Sequence, residues 1–175
     1  MIKGFLSGVV LIVSCVITYL IFHLGLFLPV QINEETRPDM FILFKDHIGP
    51  YHTVAELISS VEVQAKRDGL DCSMTFGEYF DNPDNVEQDR LRSRVGCISN
   101  KPYAKTPLEL KTDKIPTRRY VVGYFLGSPA IGPWKVYPKI KKYLSEWKIA
   151  REDNAIEIYT MTDESINTEY LFPLK

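Results

Sequence analysis

Cysteine is scarce: the chain of 175 residues carries Cys15, Cys72 and Cys97 and no others. So few exclude a disulfide-dense scaffold, and no Cys or His spacing suggests a zinc site. Neither a metal nor a cofactor is expected. An excess of one charge is also missing, because 21 Lys and Arg stand against 22 Asp and Glu, for a net charge of −1. That balance excludes a strongly basic nucleic-acid binder and a long acidic tail, and no nucleic-acid partner is expected. The length leaves no room for a multidomain enzyme. Cys72 and Cys97 fall in strand-like runs, where a disulfide and a pair of buried free thiols both stay open.

What is present belongs to a folded chain, 45% hydrophobic and 25% charged. One stretch, Phe5 to Leu28, has no charged residue over 24 positions. At about 1.5 Å per residue, a helix of that length crosses a hydrocarbon core of roughly 30 Å. The segment Leu26-Phe27-Leu28-Pro29-Val30 offers no small-x-small cleavage site, so residues 1–29 read as an uncleaved anchor and not as a signal peptide. The expectation is a single-pass membrane protein that meets lipid through residues 5–28. Its soluble domain is placed on the non-cytoplasmic side, with a cytosol-facing domain as the alternative, because Lys3 and Arg37 nearly balance across the span.

Residues 30–37 read as a polar connector. Beyond it one pattern occurs twice. Phe41-Ile42-Leu43-Phe44 is a buried strand, and Ile48-Gly49-Pro50-Tyr51 breaks it. Val54, Leu57, Ile58, Val61 and Ala65 then follow at helical spacing, and two strand-like runs end near Ile98. The second copy runs from Tyr120-Val121-Val122 through the break Ile131-Gly132-Pro133-Trp134. It continues with a helix marked by Val136, Ile140 and Leu144, and ends in the strands Ile156–Tyr159 and Glu169–Phe172. The modules span about 38–99 and 118–175. One unit alone exposes an apolar sheet face, and two are expected to close a core between them.

Several runs carry a specific resemblance. Gly77-Glu78-Tyr79-Phe80-Asp81-Asn82-Pro83, Asp89-Arg90-Leu91-Arg92-Ser93 and Val95-Gly96-Cys97-Ile98 look like the first half of a GyrI-like domain. Lys135-Val136-Tyr137-Pro138, Ile156-Glu157-Ile158-Tyr159 and Glu169-Tyr170-Leu171-Phe172-Pro173-Leu174 look like its second half. With the apolar run in front, the chain is most similar to the single-pass group that includes the testis-expressed ER-phagy receptor of animals and its bacterial relatives. The resemblance implies an α+β fold over 38–175, with two strand–helix–strand–strand modules related by a pseudo-twofold and preceded by one transmembrane helix. It also implies a ligand-binding cleft between modules, as in the effector-binding domains of some regulators. No helix-turn-helix precedes the domain, so a transcription regulator is not expected.

Glu157 is the sharpest candidate. Alternation on a strand puts Ile156 and Ile158 on one face, and Glu157 and Tyr159 on the other. A carboxylate among aromatics can balance a cationic ligand, or act as a base if burial raises its pKa. The resemblance makes the position of Glu157 the acidic residue of the ligand cleft. Tyr51, Tyr79, Tyr124, Trp134 and Tyr159 are candidate aromatic walls, and Glu169 is a candidate second carboxylate. Glu78 lies in the matching part of the first module, with its register against Glu157 open by one residue. The expected function is a membrane-tethered small-molecule-binding protein that holds a cationic or aromatic ligand. The alternatives are a hydrolase of strained toxic molecules using Glu157 and Tyr159, and a receptor module with a degenerate cleft and a protein partner.

Overall fold

The computed structural model describes residues 2–162 and 166–175, with side chains from Gly8 onward. Its elements are α1 (Ile2–His23), β1 (Gln31–Arg37), β2 (Met40–Ile48), α2 (Val54–Arg67), β3 (Met74–Tyr79), β4 (Arg92–Ser99), β5 (Lys111–Ile115), β6 (Arg118–Phe125), α3 (Gly132–Glu146), β7 (Ala155–Met161) and β8 (Ile166–Pro173). The order strand–helix–strand–strand occurs as β2-α2-β3-β4 and again as β6-α3-β7-β8. All eight strands form one sheet in the order β1-β6-β8-β7-β3-β4-β2-β5, every pairing antiparallel.

The two halves meet by strand pairing and share one buried core, in which Ile42, Phe44 and Phe76 of the first half cluster with Tyr120, Val122 and Ile156 of the second. β3 and β7 are hydrogen-bonded neighbours, with Gly77 opposite Glu157 and Thr75 opposite Tyr159. Each helix covers its own half. Val136, Ile140 and Leu144 of α3 pack on Val121, Phe125 and Phe172, while Val61 and Ala65 of α2 pack on Leu43 and Cys97. The opposite face is lined by Ile42, Phe76, Val122, Ile156 and Ile158, all buried. Period-two alternation therefore sorts β7 as its sequence demands, isoleucines to one side and Glu157 with Tyr159 to the other.

Two strands lie where the sequence shows no apolar alternation. β1 falls in the stretch read as a connector and pairs with β6, and β5 lies in the long crossover between modules and pairs with β2. Both are edge strands. Polar, charged sequences such as Gln31–Arg37 suit an edge, which needs no second apolar face and resists pairing with other chains.

The amino-terminal segment corrects the membrane reading. The uncharged run does not form one helix, because α1 ends at His23 and Gly25, at φ 74°, turns the chain. Among the described residues no helix is long and apolar enough to cross a membrane. The anchor over 1–29, the lipid contact through 5–28 and the single-pass membrane location, on either side, are set aside with it. The fold is a mixed α/β fold built on one antiparallel sheet, without the transmembrane helix. The turn is held by contacts from the start of α3 and the loop before it. Lys135 Nζ donates to the carbonyls of Gly25 (3.2 Å), Leu26 and Leu28 (2.6 Å), and the Ser128 N–H donates to Leu24 O at 3.1 Å. These donors satisfy carbonyls of the turn itself, while the N–H groups of Leu24, Gly25 and Leu26 bond the carbonyls of Leu20, Phe22 and Ile21 in the last turn of α1.

Cys72 and Cys97 form a disulfide, with Cα atoms 5.0 Å apart, that ties the segment after α2 to β4. It closes a loop of 25 residues in sequence separation. Reduction should cost about 2–4 kcal/mol through the unfolded chain's regained entropy. Urea unfolding with and without reductant measures this, and coincident curves would show that the bond contributes nothing.

Candidate functional site

α2 lies over β2, β3 and β4, and α3 lies over β6, so the β3–β7 seam floors a groove between the two helices. On the helix side the seam presents Thr75, Gly77 and Tyr79 from one strand and Glu157, Tyr159 and Met161 from the other. Glu157 is 5% exposed. Its Oε1 accepts from the Tyr137 hydroxyl at 2.8 Å and its Oε2 from the Tyr159 hydroxyl at 2.7 Å. The Tyr79 hydroxyl lies 3.5 Å from that of Tyr159, and because the latter donates to Glu157, Tyr79 is the donor between them.

Gly77, directly across from Glu157, makes room for this cluster. A Cβ there would stand 2.6 Å from the Tyr79 hydroxyl oxygen, so the Tyr79 ring lies across a position that has no side chain. Tyr51 meets Tyr79 edge-on at 4.7 Å and is itself fixed by the Asp81 N–H, which donates to its hydroxyl at 3.0 Å. The Tyr170 hydroxyl packs against Gly132 at the start of α3, where a Cβ would come within 1.8 Å. That contact sets the height of the helix carrying Tyr137.

Burial raises the pKa of Glu157, and the two phenol hydrogen bonds only partly offset the rise. Burial, and then the Glu157 charge, push Tyr137 and Tyr159 well above the ordinary phenol value. The phenols are therefore held protonated, as hydrogen-bond donors to the carboxylate. Past Tyr159 the groove opens into a cavity of about 350 Å³, lined by Tyr159 and Thr75 but not by Glu157. No group of three or more metal-ligating side chains occurs among the described residues.

The structure brings Glu157, Tyr159, Tyr79 and Tyr51 together on the helix side. It places the other candidates elsewhere. Glu169 and Tyr124 are cross-strand partners on the opposite face, where Arg37 reaches Glu169 at 2.6 Å and the Tyr124 hydroxyl donates to Glu35 at 2.8 Å. Trp134 is 85% exposed on α3. The open register resolves with Gly77 beside Glu157, so Glu78 faces away, paired with Arg94 and bonded by Asn154 at 2.9 Å. Sequence reasoning missed Tyr137. Its signal was a tyrosine one position off the buried stripe Val136, Ile140, Leu144, which turns it from the centre of its own half towards the seam.

A sheet made of two strand–helix–strand–strand halves, with an acid under tyrosines at their seam, defines a class of small-molecule-binding domain. The chain matches the model of the GyrI-like small molecule binding domain over residues 30–175 and belongs to that family. Among solved structures, the EcmrR C-terminal domain is similar at TM-score 0.67 and 15% identity, over 83% of this chain and 98% of that one. EcmrR in its DNA complex is similar at TM-score 0.66 and 16% identity, over 99% of this chain and 68% of that one. The Vibrio cholerae integron cassette protein is similar at TM-score 0.57 and 15% identity, over 82% and 95%. At such identities these likenesses establish the fold. No curated protein matches the chain. The comparisons reach the family and not the single-pass group within it.

Proposed function

We propose that this domain binds a small organic cation with an aromatic or apolar body, seated in the groove over Gly77 with its charge on Glu157. The carrying observation is a buried carboxylate whose charge is met by two phenols and, among the described residues, by no Lys, Arg or His. An ionised buried carboxylate without a countercharge is costly, and a ligand cation removes that cost. Tyrosine faces add attraction for the same charge. Tyr79, whose hydroxyl makes a long 3.5 Å contact while those of Tyr137 and Tyr159 bond Glu157, is the ring that gives way first and exposes the Gly77 floor.

The rival hydrolase would use Glu157 as base and Tyr159 as acid. A phenol whose pKa is driven up gives its proton reluctantly, so the same groups are better suited to holding a cation than to turning it over. A receptor module with a degenerate cleft fits less well, because the groove is filled by displaceable rings and opens at one end. The test is a calorimetric titration with an N-alkylquinolinium and its neutral naphthalene isostere. The cation should bind at least about tenfold tighter, the counter-charge being worth more than about 1.4 kcal/mol. Its affinity should rise with pH, because protons compete for Glu157 below its raised pKa. Equal affinities, or a flat pH profile, would reject this reading.

A further inference from the structure

We propose that the cavity beyond Tyr159 is a second arm of the ligand site and takes the second positive end of an elongated bis-cation; this rests on the Glu157 reading above. Four observations carry it.

First, one side chain forms the partition. The Tyr159 hydroxyl bonds Glu157 on one side, and its ring lines the cavity of about 350 Å³ on the other. Rotation of this ring frees Glu157 and joins the two spaces. Second, the floor is continuous. Glu157, Tyr159 and Met161 succeed one another on one face of β7, about 7 Å apart at two residues per step, and Tyr159 and Met161 both line the cavity.

Third, part of the cavity wall is soft and apolar, formed by Leu70, the disulfide-bonded Cys72 and Met161. That lining suits a hydrocarbon linker. Fourth, its rim carries one uncompensated negative charge. Lys66 is taken by Glu62 at 2.6 Å. Asp71 accepts the Ser73 N–H at 3.1 Å and the Ser99 hydroxyl at 3.4 Å, and among the described residues it forms no ion pair. A cationic end anchored at Glu157 and a linker laid along Met161 bring the second cation to Asp71.

The experiment uses the full chain and two ligands: a bis-quinolinium with an alkyl linker, and a mono-quinolinium carrying the same chain with a hydroxyl at its end. Wild type should prefer the bis-cation about three- to tenfold, a statistical factor of about two for its equivalent ends times the roughly 1.4- to fivefold of a partner on an exposed carboxylate, and less in high salt. Asp71→Asn keeps the acceptor for Ser73 and removes the charge, so the preference should fall to the statistical factor of about two while mono-cation affinity stays unchanged. Glu157→Gln should weaken both ligands alike. Binding that depends on Glu157 but prefers the bis-cation by no more than about twofold, or by a factor that Asp71→Asn leaves unchanged, overturns the second arm and leaves the Glu157 site standing. Binding of both ligands that ignores Glu157→Gln overturns the Glu157 site and the second arm with it.

Discussion

Glu157→Gln is expected to weaken binding of an aromatic mono-cation about 30- to 5000-fold, because losing one partner of a buried charge pair costs about 2–5 kcal/mol at 1.4 kcal/mol per decade. The substitution keeps shape; one of the Tyr137 and Tyr159 hydroxyls still donates to the amide oxygen, and the other accepts from the amide N–H. Stability should move the other way. A carboxyl whose folded pKa is raised above its unfolded value favours folding at low pH, and that contribution is lost as pH rises through the folded pKa. At neutral pH the wild type therefore carries a penalty that Gln lacks. The variant should melt higher at neutral pH, and the gap should close towards acid. Thermal melts across that range, paired with calorimetric titration, check both halves. A variant that binds as wild type does, or that melts lower at neutral pH, contradicts the assignment.

Gly96→Ala should cost about 4 kcal/mol, the sum of a forced overlap and a strained backbone at roughly 1–3 kcal/mol each. Gly96 sits in β4 between Phe44 and Phe76 on its two neighbours, at φ 157°. A Cβ there would come within 2.2 Å of the Leu43 carbonyl oxygen and 3.0 Å of Phe44 Cα. Backbone on a central strand cannot step aside as a flexible side chain can. The urea midpoint should fall sharply. A midpoint within experimental error of wild type would mean that β2 and β4 separate without cost.

The repeated order of elements was legible because each buried strand is followed by a Gly-Pro break and an amphipathic helix, and these local signals agree with the final packing. The face of Glu157 was legible from Ile156 and Ile158. Glu169 and Tyr124 were not separable from it, because alternation assigns a residue to one of two sides and does not say which sides of neighbouring strands coincide. The pairing of Tyr124 with Glu169 and of Ile158 with Glu169 settles that. β1 and β5 escaped because edge strands need no apolar pattern. The apolar run misled because hydropathy counts residues without seeing where a helix stops. Gly25 and the hydrogen bonds from Lys135 end the helical geometry inside the run. Tyr137 acts across the seam, a long-range relation that no local window contains.

The shared seam also governs how the protein can accommodate guests of different size. β3 and β7 are joined by a ladder of backbone hydrogen bonds from Met74–Thr160 to Tyr79–Ala155. The halves cannot hinge apart as two lobes would without breaking that ladder. Room for a larger guest must come from ring rotation over a stiff palm, with Gly77 supplying the slack. Such rearrangements run far faster than domain opening, so loading and release should follow the ligand's own diffusion and fit, with no slow gate between encounter and capture.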